Sequence, residues 1–248
     1  MRQDFIRFAR VEAGDCVLEC GAGGGDTVFD GKLIDAVGPA GSVVATDPAV
    51  APLVRLQSRA AQRGVRNVTV MEAKVERLPF PKNRFDTVLG MFFLQFTDTQ
   101  RALTEMLRVA RPEGTVAAAV FVSTPYERIP WYREWFSPVL DLAQRFGVPV
   151  SAKLHGRGEV AALLDSLGAH DVETEERESV WMMRNPEATI AHLLVAVDFF
   201  AAVMHRLPWK AREDLVAELR RRGDAVMDRY TDEERVVRQP VEFVRARP

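Results

Sequence analysis

Glu19-Cys20-Gly21-Ala22-Gly23-Gly24-Gly25-Asp26 closes a short apolar run, Val17-Leu18, and leads into a helical pattern. A backbone that leaves a strand, turns sharply and enters a helix needs residues without a Cβ, and its first helical N–H groups then face whatever sits above the turn. The chemistry this suits is the holding of a nucleotide cofactor. A dinucleotide fingerprint wants its third glycine after two intervening residues, whereas here the glycines fall at Gly21, Gly23 and Gly25, and Asp26 takes the fingerprint's third place. A second acidic landmark, Asp47, ends the apolar run Ser42–Thr46 at 22 positions beyond Gly25, near the spacing at which a carboxylate meets a ribose hydroxyl pair. Pro48 follows it, so Asp47 also suits a helix cap.

The pattern E-x-G-x-G-x-G resembles the first motif of class I S-adenosylmethionine (SAM) dependent methyltransferases. Leu78-Pro79-Phe80-Pro81, Phe85-Asp86-Thr87-Val88-Leu89-Gly90 and Arg111-Pro112-Glu113-Gly114 follow. They are similar, in order, to the L-P-F, F-D-x-V and R-x-x-x-P-x-G landmarks of the ubiquinone and menaquinone biosynthesis type. The resemblance implies SAM as cofactor and S-adenosylhomocysteine (SAH) as product. It implies Glu19, Gly21, Ala22, Gly23 and Gly25 at the cofactor's amino-acid end, and Asp47 with Pro48 at the ribose. Lys74, Val75 and Glu76 fall at the adenine, and Met91 and Phe92 at the methyl-donor end. Two positions depart from the related pattern. Lys74 stands where G-D-A-E-x-L-P-F has an aspartate, and lysine only donates. Lys74 is therefore expected to point away, leaving a backbone carbonyl or Glu76 to accept from the adenine amino group. Gln95 stands in the stretch where relatives often carry a histidine, and an amide cannot act as a general base.

Alternating apolar runs and helical stripes must position these residues. Strands are expected at 16–20, 42–46, 67–71, 85–90, 115–122, 172–180 and 236–244, with Pro240 disfavouring a central place for the last. Helices are expected at 4–12, 26–37, 49–63, from Asp98, at 158–168 and along 190–204. The fold class is α/β, a Rossmann-like seven-stranded mostly parallel sheet with helices on both faces and, by the resemblance, an antiparallel last strand. One domain, 1–248, would carry helical cap insertions at about 123–157 and 186–230. Ligands of such sheets bind beyond the C-terminal strand ends.

The insertion at 123–157 holds Tyr126, Trp131, Tyr132, Trp135 and Phe136. Trp131 and Trp135 share a helical face, which suits either a packed stripe or a roof over a flat substrate. Gln95, Tyr126, Trp131, Tyr132 and Trp135 are thus the expected pocket residues. Each of the four histidines suits a surface or core role, and His155 is singled out as a candidate base because it lies where the insertion returns. Cys16 and Cys20 fall four apart on one strand, too far for an unstrained disulfide and without partners for a metal.

With 33 basic against 35 acidic residues, no global field draws the chain to nucleic acid or an anionic membrane. The N-terminal residues lack a signal-peptide core and no run reaches a membrane span, so a cytoplasmic protein with a small-molecule substrate is expected, monomer or homodimer. The function expected is in-line methyl transfer to a largely apolar or aromatic metabolite. A SAM-binding enzyme of rearrangement, elimination or cyclisation is the alternative, as is a non-catalytic SAM-binding module.

Overall fold

The computed structural model describes residues 1–122, 129–148, 154–196 and 198–248, with side chains outside 192–199; Tyr126 lies outside the described residues. The chain forms two compact units. One is Met1–Val122 with His155–Arg177 and Pro240–Pro248; the other is Ser123–Leu154 with Glu178–Gln239. The stretches 123–157 and 186–230 fall largely in the second.

Seven strands, β1 (Cys16–Cys20), β2 (Ser42–Asp47), β3 (Val68–Glu72), β4 (Phe85–Met91), β5 (Ala110–Phe121), β6 (His170–Met182) and β7 (Val236–Arg247), lie in the order β3-β2-β1-β4-β5-β7-β6. Pairings from β3 to β5 are parallel, and β7 runs antiparallel to β5. This is the class I methyltransferase sheet. Period-two alternation sorts its side chains. Leu18, Cys20, Val44, Val88 and Val116 enter one core with α4 (Thr99–Val109) and α6 (Glu159–Ser166). Val17, Val43, Ala45, Leu89 and Ala117 enter the other with α1 (Arg2–Phe8), α2 (Leu33–Val37) and α3 (Val50–Gln62). Helices therefore cover both faces.

The Leu78-Pro79-Phe80 landmark is anchored by α4. Arg108 donates to the carbonyls of Phe80 (2.8 Å) and Leu78 (3.1 Å), while Glu105 accepts from the Leu78 N–H (2.8 Å). Edge strand β6 carries Glu173, Glu175, Glu176 and Glu178, and such charges discourage pairing with another chain. Among the described residues no helix is long and apolar enough to cross a membrane.

Three expectations need correction. The helix placed at 26–37 is instead one π-type turn, Asp26–Asp30, then α2, because Lys32 takes φ +60° and breaks the ladder. Phe29, Leu33 and Val37 are buried all the same. Strand β5 begins at Ala110 rather than Thr115, and a register shift against β4 between Phe85 and Thr87 absorbs the Arg111–Gly114 stretch. Finally, β7 lies inside the sheet despite Pro240. Its register with β5 starts at Val241, and Pro240 contributes only its carbonyl, accepting from the Val122 N–H at 3.0 Å.

The second unit has its own core of helices. Trp131, Trp135 and Phe136 on α5 (Pro130–Arg145) pack with Phe200 on α8 (Asp198–Arg206) and with Leu215 and Leu219 on α9 (Trp209–Arg229). Helix α7 (Pro186–Ala196) adds Ile190. Glu134 accepts from Arg229 (2.9 Å) and the Tyr230 hydroxyl (2.8 Å), tying α5 to the end of α9.

Candidate functional site

The parity that sends Val17 to one face of the sheet sends Glu19 there too, beneath the turn at Asp26–Asp30. Glu19 is 1% exposed, and its Oε2 has no hydrogen-bond partner. Burial pushes its carboxyl up to about 8, only partly opposed by a hydrogen bond with Thr27. Next to it, burial pushes the Cys20 thiol up to about 12, and both cysteines are free. The floor under the glycine turn is thus largely uncharged at neutral pH.

The turn itself is held from β2. Ala22 N–H donates to the Thr46 carbonyl (2.9 Å), Thr46 Oγ1 donates to the Glu19 carbonyl (3.0 Å), and Gly23 N–H donates to Asp47 Oδ2 (3.0 Å). Asp47 Oδ1 accepts from Ala49 N–H at 2.9 Å, past the exposed Pro48, so the cap and the loop contact coexist. Gly21 takes φ +69°, and a Cβ there would stand 2.5 Å from the Phe93 Cβ. The backbone after β4 therefore packs directly on the turn. Gly25, at φ +80°, would meet Leu56 of α3 in the same way.

The segments after β3 and β4 complete the rim. Ala73 N–H donates to the Asp47 carbonyl (3.2 Å), which brings the Lys74-Val75-Glu76 segment alongside Asp47. Lys74 is exposed, Val75 is buried, and Glu76 accepts from the Asp98 N–H at 3.2 Å. Met91 is buried, and Phe92 follows at φ +57°, a conformation a bulky residue rarely adopts. Its ring stacks on Phe121 at 4.0 Å and its carbonyl accepts from Gln95 Nε2 at 2.8 Å.

Glu19, Gly21, Ala22, Gly23, Gly25, Asp47, Pro48, Lys74, Val75, Glu76, Met91, Phe92 and Gln95 thus all lie in the first unit, on the segments that end β1 to β4. His155 is there as well, bridging Val122 at the end of β5. Trp131 and Trp135 belong to the second unit. They are 1% and 0% exposed within the second unit's core, where Trp135 Nε1 donates to the Leu219 carbonyl at 2.9 Å and Tyr132 packs partly buried beside them.

These residues fit a cofactor with a cationic end. A buried carboxylate oxygen without a partner, next to backbone that admits no Cβ, is what an ammonium group would satisfy. A methyltransferase-domain family matches residues 17–114. Residues 17–114 are a methyltransferase domain. Such domains use SAM, which supplies a methyl group on a sulfonium. Over 118 residues the chain is 37% identical to the ubiquinone/menaquinone biosynthesis C-methyltransferase UbiE of Pseudomonas putida, covering 47% of this chain and 45% of that enzyme. It thus spans about half the length of that relative. Among solved structures, the YcgJ protein from Bacillus subtilis has a TM-score of 0.64 at 16% identity, covering 99% of this chain and 97% of that one. The cyclase SpnF has 0.58 at 16%, covering 99% and 79%. At that identity the likeness shows the fold of the methyltransferase domain and its surroundings.

Sequence reasoning missed Arg59 of α3. Its guanidinium donates to the Gly24 carbonyl (2.8 Å), to Asp26 (2.9 Å) and to both oxygens of Asp30 (2.9 Å each). In sequence it is one of several arginines on an amphipathic helix, and nothing in periodicity marks it. Lysine is a point donor and cannot span these partners. Arg59→Lys should therefore raise the SAH dissociation constant by roughly tenfold, the loss of one to two charge-assisted bonds. Unchanged calorimetric affinity would show that the loop holds its shape without the fork.

Proposed function

We propose that this chain transfers the methyl group of SAM to a small, largely apolar or aromatic metabolite. The observation that carries the reading is Glu19, whose unpartnered buried oxygen beside the glycine turn suits the ammonium of the cofactor's amino-acid end. Gly21, Ala22, Gly23 and Gly25 present backbone to the same end. Asp47, still able to accept on free lone pairs, takes the ribose hydroxyls with Pro48 beside it. The adenine lies along Lys74, Val75 and Glu76, with Lys74 turned to solvent, and the methyl group emerges at Met91 and Phe92. Displacement at a sulfonium is in-line, so placing the nucleophile accounts for much of the rate. Near-balanced charge supports a small neutral acceptor over nucleic acid, and two free thiols suit the cytoplasm.

SAH formation in the presence of aromatic and polyketide-like acceptors tests the reading. SAH is expected only when acceptor is present. A second reading is a cyclisation, the activity named for the structural neighbour SpnF; an acceptor converted without SAH release would establish it. Asp47→Ala should weaken SAH binding by about 1–3 kcal/mol, the range for losing a charged hydrogen-bond acceptor. Unaltered affinity by calorimetry would refute the ribose assignment.

A further inference from the structure

The two ring nitrogens of His155, a residue 4% exposed, are unequal. Nε2 lies 3.1 Å from Thr99 Oγ1, and Nδ1 is buried with no hydrogen-bond partner. Thr99 Oγ1 also faces the Leu94 carbonyl at 3.5 Å, and a carbonyl only accepts. A hydroxyl proton turned to Leu94 would leave the hydroxyl oxygen to accept from His155. In that arrangement the ring proton sits on Nε2 and Nδ1 is a bare lone pair. Burial lowers the pKa of the ring, with Glu159 opposing, so the neutral form prevails near pH 7.

Gln95 is in the same condition. Its Nε2 donates to the Phe92 carbonyl, which fixes the amide and leaves Oε1 buried without a partner. The two unmet acceptors stand on segments at the C-terminal ends of β4 and β5, and the first of these segments packs on the glycine turn through Phe93. Folds rarely leave buried acceptors unmet unless a ligand or water meets them.

We propose that Nδ1 of His155 takes the proton of a neutral, hydroxyl-bearing acceptor, a phenol or enol, and that Oε1 of Gln95 accepts a second polar hydrogen from it. This rests on the methyl-transfer reading above. An imidazole is far better matched to a hydroxyl that ionises near pH 10 than to an alkyl alcohol. The acceptor O–H bond breaks and its proton goes to Nδ1, giving an imidazolium whose Nε2–H still points to Thr99. The oxygen lone pair forms the O–CH3 bond, and the C–S bonding pair passes to sulfur, turning the sulfonium into the neutral thioether of SAH. Thr99 is a positioning residue, setting the tautomer.

The test uses the full chain with SAH bound and catechol as the probe. Nitrogen-15 NMR of labelled histidines at pH 7 should show His155 protonated on Nε2 and bare on Nδ1, and catechol should move the Nδ1 signal upfield. His155→Gln retains an amide for Thr99 and offers no acceptor at the Nδ1 position. It should bind SAH as the wild type does and bind catechol at least about tenfold more weakly, the loss of one good hydrogen bond. Thr99→Val should weaken catechol in the same direction by freeing the tautomer. A proton on Nδ1 in the wild type, or equal catechol affinity in wild type and His155→Gln, overturns the assignment. Failure of the wild type to bind SAH sinks the methyl-transfer reading instead, while the same spectrum still reads the tautomer.

Discussion

SAH affinity should rise about tenfold per pH unit between pH 6 and pH 7.5, and Glu19→Gln should remove that slope. The free protein holds Glu19 as the neutral acid, since burial pushes its carboxyl up to about 8. An arriving ammonium favours the carboxylate, so binding must expel a proton, and expelling it becomes easier as the pH climbs. The slope fades as pH reaches the carboxyl's own value. The window stops at 7.5 because the carboxyl of the free protein is itself ionising by about pH 8.

Stability runs the other way. A folded-state pKa above the ordinary 4.5 means the folded protein holds a proton the unfolded chain has released, so this group's contribution is full below about 4.5 and declines as pH rises to about 8. Glu19→Gln keeps the shape and cannot ionise. At pH 8 it should melt no lower than wild type while binding SAH worse. Calorimetry across pH, with melting curves on the same samples, decides this. A flat wild-type profile, or one slope shared by both proteins, removes Glu19 from the cofactor's ammonium.

The largest stability effect is expected at Trp135. Its ring is fully buried, stands 5.4 Å from Phe136 and 6.4 Å from Trp131, and donates to the Leu219 carbonyl. Trp135→Ala should cost about 3–5 kcal/mol through lost transfer energy and the cavity left behind. Trp131 offers a contrast within the same core, because its Nε1 is buried without a partner. Trp135→Phe should cost roughly 1 kcal/mol more than Trp131→Phe, because both leave a smaller ring in the core and only Trp135 gives up a hydrogen bond. Urea denaturation of the three variants makes the comparison. A Trp135→Ala protein as stable as wild type would contradict its place in the core.

Much of the first unit is legible in the sequence because its signals are local. A strand ending in Glu19 and glycines, a second ending in Asp47, and stripes such as Leu103, Met106 and Leu107 report which face is buried, and the sheet follows from their alternation. Pairing and polar contacts across the chain leave no such trace. The break at Lys32 was hidden because Phe29, Leu33 and Val37 stay buried on either side of it. Arg111–Gly114 reads as a turn, yet a register shift lets strand pairing pass through it. Arg59 and Thr99 take their roles from partners 29 to 56 positions away or from a neighbouring carbonyl, and periodicity cannot encode those. In the second unit the aromatic spacing on α5 fits a core and a roof equally well. Only burial separates the two.

The left-handed Phe92 sets unusual rules for which residues can replace it. At most positions exchanging an aromatic ring for glycine removes packing and adds backbone freedom, so both effects lower stability. At Phe92 they oppose each other. The backbone at φ +57° favours glycine or asparagine, while the stack on Phe121 rewards the ring. Substitutions here therefore answer to two scales at once. Leucine or valine, which satisfies neither, should be tolerated less well than a residue with no side chain at all.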